Sequence, residues 1–195
     1  MTRIVHITPQ NHMVGLWPGG KTRQIYIHPP GARYADKDFL FRISSVSVEQ
    51  EESTFSHLPH YRRFFSLLKG KLVLSTGGRE PLVLTPYDIA AFDGTDTTHT
   101  QGKATGFHLM LRKEQCEGSL CALHMPESGE ISFPPSSDTL ALYCIKGAAQ
   151  MQSGKGFVLL KQEEAVVVTQ REEAIQMKAL QSSAFFVVEI TINQQ

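Results

Sequence analysis

The sequence predicts an all-β protein built from two similar β lobes. Short apolar runs rich in Val, Ile, Leu and Phe recur along the chain and partly alternate with a period of two. Turn-forming pairs such as Gly77-Gly78 and Asp93-Gly94 separate them. Many short, closely spaced strands are typical of a sandwich or a barrel. The strands predicted in the first half are residues 22–28, 39–48, 63–68, 72–75, 82–84, 89–92 and 107–111.

The second half of the sequence repeats landmarks of the first at an offset of seventy-seven positions. The Leu-Leu-Lys-Gly segment at 67–70 returns as Cys-Ile-Lys-Gly at 144–147, and Gly77 returns as Gly154. Two apolar pairs further along keep the offset within one position. A chance match of two Lys-Gly turns is the alternative, but the four aligned landmarks favour a duplicated β unit.

The two lobes are predicted to span residues 1–113 and 114–195. The join falls near residues 113–135, where the mixed stretch 114–125 is compatible with a short helix. The Phe-Pro-Pro sequence at 133–135 is expected to begin the second lobe.

Composition excludes several classes of partner. Nineteen basic residues balance nineteen acidic ones, and no basic stripe is visible, so nucleic acid is not an expected partner. No run approaches the roughly 18 apolar residues of a membrane helix, and the first residues lack an apolar signal region, so no membrane partner and a cytoplasmic location are expected. The three cysteines form neither a disulfide set nor a C-x-x-C pair, which favours idle or buried thiols.

Residues 15–22 match the nucleotide-binding expression G-x-x-x-x-G-K-[ST] letter for letter. A phosphate-binding loop must open a helix, because the helix N-terminus supplies the amides that hold the phosphates. Here residues 23–28 have the pattern of a strand, and Pro29-Pro30 ends it. Nucleotide hydrolysis is therefore not expected, and Gly19 and Gly20 are predicted to form a turn.

A set of residues in characteristic order and spacing spans the first lobe. They are Trp17, Lys21-Thr22-Arg23, Phe41-Arg42-Ile43-Ser44, Thr54-Phe55-Ser56, Pro59, Arg63, Leu67-Leu68, Gly70, Leu84, Phe92-Asp93-Gly94, Phe107 and Leu109-Met110. In these residues the sequence resembles the HutD/Ves family of bacterial bicupins over nearly its whole length. The resemblance implies a cupin jelly roll, or double-stranded β-helix, in each of two tandem lobes. It also implies a metal-free protein of poorly defined role, linked in some bacteria to histidine utilisation and suspected of binding small acidic metabolites.

The sequence departs from the family pattern at polar positions. Pro18 and a shorter loop follow the tryptophan, Gln24 replaces an acid, and His108 lies where the family has an asparagine. His60 replaces a glycine. These changes remove acids and add imidazoles, so the ligand or the function is expected to differ from that of better-known relatives.

No metal and no cofactor are expected in this sequence. Metal-binding cupins carry two histidines one residue apart, followed by a glutamate, but His57 is followed by Leu58 and Pro59. Arg63 stands at the glutamate position, and Ala91 stands at the later histidine. A cation in place of an anionic ligand repels a divalent metal.

Strand alternation predicts which polar side chains share one pocket, because residues two apart face the same side of a sheet. The alternative for any single arginine is that it faces solvent, since an arginine between apolar strand residues ordinarily lies on the solvent side of a sheet. The groups predicted to share a face are Thr22, Gln24, Tyr26 and His28 on one strand, Arg42 and Ser44 on the next, and His108 and Met110 on a third.

The first functional hypothesis is a non-catalytic binding or sensing protein whose N-terminal lobe takes a small anionic or amide-containing molecule. Arg42 and Arg63 would clamp the ligand, because a guanidinium suits a carboxylate. His57 and His108 would form hydrogen bonds to it. The predicted ligand-binding residues are Trp17, Thr22, Gln24, Arg42, Ser44, Phe55, Ser56, His57, Arg63 and His108, with Trp17 and Phe55 as apolar walls.

Two other hypotheses belong to different classes. A metal-free cupin enzyme, a lyase or isomerase, would use His57 or His108 as a general base. Nucleophilic catalysis is not supported, because the sequence has no G-x-S-x-G elbow. A protein acting through association would use the apolar runs 165–168 and 184–190 as a homodimer seam, unless those runs fill its own core.

Overall fold

The computed structural model describes residues 2–154 and 156–193 and confirms an all-β fold. None of the helices in this part of the chain is long and apolar enough to cross a membrane. Two short 3-10 helices cover Pro9–Asn11 and Tyr34–Asp36. The strands are β1 (Arg3–Ile7), β2 (Met13–Trp17), β3 (Gly20–His28), β4 (Phe41–Val48), β5 (Glu52–Thr54), β6 (Tyr61–Gly70), β7 (Leu72–Thr76), β8 (Leu82–Leu84), β9 (Ile89–Asp93), β10 (Thr98–Gln101), β11 (Ala104–Arg112), β12 (Cys116–Met125), β13 (Glu130–Phe133), β14 (Thr139–Lys146), β15 (Ala148–Ser153), β16 (Gly156–Lys161), β17 (Ala165–Thr169), β18 (Ile175–Ala179) and β19 (Ser183–Ile192).

The first compact unit, His12–Cys116, is a two-sheet jelly roll. A six-stranded antiparallel sheet has the order β2-β3-β4-β11-β6-β9, and a four-stranded sheet has the order β5-β10-β7-β8. Side chains of both sheets form one apolar cluster, in which Phe65 and Leu67 of the larger sheet pack with Leu72 and Leu74 of the smaller one. Burial of these alternating side chains is the main stabilising contribution to the unit.

The second unit contains the chain up to Asn11 and from Glu117 onward. Its sheets have the orders β1-β17-β14-β19-β12 and β13-β18-β15-β16. The N-terminal strand β1 belongs here because it pairs with β17 in register, from Arg3 opposite Thr169 to Ile7 opposite Ala165. Residues 2–11 are therefore part of the second unit, although they precede the first lobe in sequence. Their strand β1 covers an edge of β17 that would otherwise be unpaired.

The strand orders of the two units match one another, in agreement with the repeat of the sequence landmarks. The order β4-β11-β6-β9 in the first unit corresponds to β12-β19-β14-β17 in the second, and β5-β10-β7-β8 corresponds to β13-β18-β15-β16. Matching turns keep the same backbone conformation, with φ of +95° and +89° at Gly70 and Gly147 and +53° at both Gly77 and Gly154. Glycine suits these turns because positive φ is costly for residues with a Cβ.

Two features of the fold differ from the sequence prediction. The helix considered within residues 114–125 is wrong, because that stretch forms β12, which lies next to β19 as β4 lies next to β11. Pairing with a neighbouring strand therefore overrides a weak local preference. The named apolar runs did not include β1, β2, β5 or β10. Of these, β2 forms a hairpin with β3 in which Trp17 pairs with Gly20. The residues that match the nucleotide-binding expression are this hairpin, and its turn opens a strand rather than a helix.

The two apolar runs considered as a homodimer seam lie in β17 and β19. Every residue of 165–168 and 184–188 is buried within the single chain. Val166, Val168, Phe185 and Val187 belong to the apolar cluster inside the second unit. These runs are therefore buried within the described chain itself.

Candidate ligand-binding site

The inner face of the six-stranded sheet changes from apolar to polar along β4, β6 and β11. On β4, Val46 and Val48 belong to the apolar cluster, whereas Arg42 and Ser44, on the same face, are polar and buried. Arg63 on β6 and His108 on β11 continue this polar region. A cavity of about 380 Å³ lies against it. Arg42, Arg63 and His108 are only 4%, 3% and 2% exposed, so the polar region lies inside the unit.

Strand register places these side chains in adjacent rows. Met110 on β11 is opposite Arg42 on one side and Arg63 on the other, so the two arginines flank one methionine. His108 lies one row along, between Ser44 and Phe65. Cross-strand neighbours on one face are close enough to interact, and the arginines therefore face a common cavity.

Arg42 is held by neutral groups. Its Nε donates a hydrogen bond to Oε1 of Gln24 at 2.9 Å, and its Nη1 donates to the Ser44 hydroxyl at 3.1 Å. The guanidinium carbon lies 4.5 Å from the centre of the Tyr34 ring. These contacts orient the guanidinium, and none of them comes from a carboxylate.

Arg63 is held in the same manner on the opposite side of the cavity. Its Nε donates to Nε2 of His108 at 3.1 Å, and its Nη1 donates to the carbonyl oxygen of Ser56 at 2.8 Å. The guanidinium carbon lies 5.1 Å from the ring centres of Phe55 and Phe92. The planar group is thus fixed by two hydrogen bonds and two aromatic rings.

The two buried guanidiniums have no protein counter-ion in the part of the chain that the structure describes. Neither forms an ion pair with a carboxylate there, and no Asp or Glu lines the cavity. Burial lowers the pKa of Arg42 to about 10 and that of Arg63 to about 10. Both groups stay charged at neutral pH, and burying charge without a partner is costly. An anion entering the cavity would offset that cost.

His108 is a neutral imidazole within an aromatic cluster. The rings of Phe55, Phe65 and Phe92 lie 5.9, 5.7 and 6.4 Å from it, centre to centre. Its pKa is well below the usual value, first because of burial and then because of the charges of Arg63 and Arg42. Since its Nε2 accepts from Arg63, the ring proton lies on Nδ1. Neither ring nitrogen is then free to take a proton from a ligand, which argues against His108 as a general base.

The stability of the protein should depend on pH through His108. Its pKa is lower in the folded state than the unfolded value of about 6.5, so below that pH the unfolded chain binds a proton that the folded chain excludes. The free energy of unfolding should therefore fall on acidification by up to about 1.4 kcal/mol per pH unit. Urea denaturation at pH 7.5 and pH 5.5 should show this loss in the wild type and a smaller loss in His108→Gln. An unchanged pH dependence in His108→Gln would contradict the assignment.

The structure brings eight of the ten predicted ligand-binding residues to the cavity. Ser44 lies beneath it as a hydrogen-bond acceptor for Arg42. His57 is exposed and does not line the cavity, because it follows Ser56 in the segment that leaves β5. The eight that line it are Trp17, Thr22, Gln24, Arg42, Phe55, Ser56, Arg63 and His108.

A β-bulge changes the prediction for β3. Gln24 is opposite Ser44, but Tyr26 is opposite Ile43, so Ile25 is an extra residue in the pairing with β4. The predicted shared face of Thr22, Gln24, Tyr26 and His28 is therefore wrong beyond Gln24. Tyr26 and His28 turn to the other face of the sheet, where their rings stack on Phe41 at 5.8 and 5.0 Å.

Sequence reasoning missed two walls of the cavity. Tyr34 and Ala32 come from the loop after β3, and no periodic pattern marks that loop. Met13, Val14 and Leu16 come from β2. Residues 4–20 contain no Asp, Glu, Lys or Arg, and this feature of the sequence could have indicated an apolar edge strand.

The second unit has apolar residues at the corresponding positions. By strand pairing, Leu140 takes the place of Arg63, and Val187, which is opposite Leu142 as His108 is opposite Phe65, takes the place of His108. Both are buried in the apolar cluster of that unit. The duplicated folds therefore differ in their interiors. The polar region that faces the cavity is a property of the first copy.

The cavity does not fit the divalent metal that many cupins hold. It is lined by one imidazole, whose Nε2 is occupied by Arg63, and by the cations Arg33, Arg42 and Arg63. Among the described residues, no three His, Cys, Asp or Glu side chains come together as a metal site. Such a donor set favours an anion.

Solved structures with similar folds include proteins from two species of Pseudomonas. A conserved protein of unknown function, PA5104 from Pseudomonas aeruginosa PAO1, is 21% identical with a TM-score of 0.87, over 97% of this chain and 99% of that one. HutD from Pseudomonas fluorescens SBW25 in a formate condition is 18% identical with a TM-score of 0.81, over 98% and 100% of the two chains. The bacterial pirin YhhW from Escherichia coli in complex with nickel(II) is 9% identical with a TM-score of 0.72, over 96% and 98%.

These likenesses confirm the cupin type of fold. No curated protein matches the sequence. The model of the HutD family matches residues 10–187, which is most of the chain. The predicted resemblance is thereby confirmed, and the chain belongs to the HutD family.

Proposed function

We propose that the first unit is a non-catalytic binding or sensing module for a small carboxylate or a related acidic, amide-containing molecule. The observation that carries this proposal is the pair of buried guanidiniums, Arg42 and Arg63, which face one cavity without a protein counter-ion among the described residues. A folded protein keeps such charges only at a cost, and a bound anion is the simplest compensation.

The unused donors suit a carboxylate. A guanidinium has five N–H groups, and each of these two arginines donates through Nε and Nη1 to the protein. Nη2 of both has no hydrogen-bond partner in the described part of the protein. Nδ1–H of His108 is a further donor beside them. Charge-assisted hydrogen bonds of this kind are strong when water is partly excluded.

Formate is a suitable first probe, because it is the smallest carboxylate and because the structure of HutD from Pseudomonas fluorescens is described for a formate condition. A role in histidine utilisation is a part of the proposal that rests on family membership alone. A cytoplasmic location is another part, and the three free cysteines among the described residues support it.

Formate and acetate should raise the thermal stability of the protein, and this effect should need Arg42. A ligand at about 100 times its Kd adds about 2.7 kcal/mol to the free energy of unfolding. Arg42→Met keeps a side chain of similar length but removes the charge, so it should abolish the rise in melting temperature. The melts are recorded at constant ionic strength, with chloride as the reference salt. The matched control is Arg62→Met, since Arg62 is exposed on the adjacent position of β6 and should not affect the shift. Equal shifts in both variants, or none in the wild type, would overturn the proposal.

A further inference from the structure

The cavity has a second wall that is unlike the guanidinium wall. Strand β2 contributes Met13, Val14 and Leu16, which are 69%, 66% and 81% exposed. Exposed large apolar side chains that lie together along a cavity are typical of an interaction site or a ligand-binding groove. The wall lies on the edge strand of the six-stranded sheet.

The apolar wall is continuous with the interior of the site. Trp17 continues β2, and its ring meets Phe55 edge to face at 5.7 Å. Phe55 in turn contacts the Arg63 guanidinium. An apolar path therefore leads from the exposed hairpin to the buried charges. The cavity, at about 380 Å³, is also far larger than formate or acetate requires.

We propose that the ligand is an amphipathic monocarboxylate, whose carboxylate pairs with Arg42 and Arg63 and whose apolar tail lies along the β2 hairpin. This inference rests on the proposed carboxylate site and adds the class of molecule that it takes. The tail covers Met13 and Leu16 and displaces water from the mouth of the cavity. Excluding water strengthens the ion pair inside, because the local dielectric falls.

A homologous series of carboxylates tests the tail. Acetate, butanoate and hexanoate should bind with increasing affinity in isothermal titration calorimetry, by up to about fourfold for each added methylene. Leu16→Asn and Met13→Gln should each lower the ratio of hexanoate affinity to acetate affinity, which is measured within each variant, to close to one. Leu82→Asn is the matched control, because Leu82 is an exposed leucine on β8, in the other sheet, and does not line the cavity.

The outcomes separate this inference from the proposed function. Flat affinity along the series, with acetate binding still lost in Arg42→Met, would overturn the tail and keep the carboxylate site. If Leu82→Asn also lost the higher affinity for hexanoate, the tail would be associating non-specifically, and this too would overturn the proposed position of the tail. Absence of binding for every acid in the series would overturn the carboxylate site itself. Each variant must give the circular dichroism spectrum of the wild type. Two independent variants of the wall are used so that the test remains possible if one of them misfolds.

Discussion

Gly20→Ala should destabilise the protein by about 3 kcal/mol or more, whereas Lys21→Ala should cost no more than about 0.5 kcal/mol. Gly20 has φ of +150°, and a Cβ built on it would lie 2.1 Å from the backbone carbonyl oxygen of Ser47. Backbone on the neighbouring strand β4 cannot move aside without breaking its pairing with β3. Lys21 is exposed and forms only a surface ion pair with Glu49 at 3.5 Å.

Urea denaturation of the two variants measures this difference. Both residues are fixed positions of the nucleotide-binding expression, where the lysine would matter as much as the glycine. The β-hairpin requires only the glycine. Gly78→Ala is the matched control, since Gly78 also has positive φ, +71°, but has open space around its Cβ, so its cost should be about 1 kcal/mol. Equal costs for Gly20→Ala and Gly78→Ala would show that the close approach to Ser47 is unimportant.

The fold was predictable because its signals are local. Alternation identified β4, β6 and β11, and glycine turns at fixed spacing identified the repeat. The failure at residues 114–125 arose because that stretch has no regular alternation, with Cys116, Leu120 and Met125 buried at uneven spacing. Its strand conformation depends on β19, whose position in the sheet is not encoded locally.

The site was predictable only as far as strand parity holds. Arg42, Arg63 and His108 lie on regular strands, so their common face followed from counting by twos. The bulge at Ile25 depends on the register with β4, which a single strand does not specify. Tyr34 reaches Arg42 from a loop, and loop conformation follows from tertiary contacts.

A comparison of the two copies of the β unit separates the residues that specify the fold from those that form the binding site. Both copies keep the strand order and the turn glycines, so these features specify the scaffold. The copies differ at inner-face positions, where Arg63 and His108 correspond to Leu140 and Val187. The apolar copy needs no ligand, whereas the polar copy holds buried charges. Replacing Arg63 and His108 by apolar residues of similar size should therefore separate stability from binding.

The double variant Arg63→Leu, His108→Phe should lose carboxylate binding and gain stability. Removing a buried charged partner typically costs about 2–5 kcal/mol of binding free energy, so affinity for acetate should fall by roughly 30-fold or more. Replacing buried ionic groups by apolar residues of similar volume is often neutral or stabilising, by about 1–4 kcal/mol. Both substitutions are needed together, because Arg63→Leu alone leaves Nε2 of His108 without its donor. The carbonyl of Ser56 also loses a donor, but Ser56 is exposed, so water can replace it.

Urea denaturation without ligand and calorimetry with acetate measure the two effects on the same protein. Arg62→Leu, on the exposed face of β6, should change neither quantity by much. If the double variant were several kcal/mol less stable than the wild type, the guanidinium and the imidazole would be structural groups whose hydrogen bonds hold the sheet. A stable variant that still bound acetate would place the anion elsewhere. A gain of stability together with a loss of binding is the expected result, because the buried charges destabilise the ligand-free protein and a bound anion offsets that destabilisation.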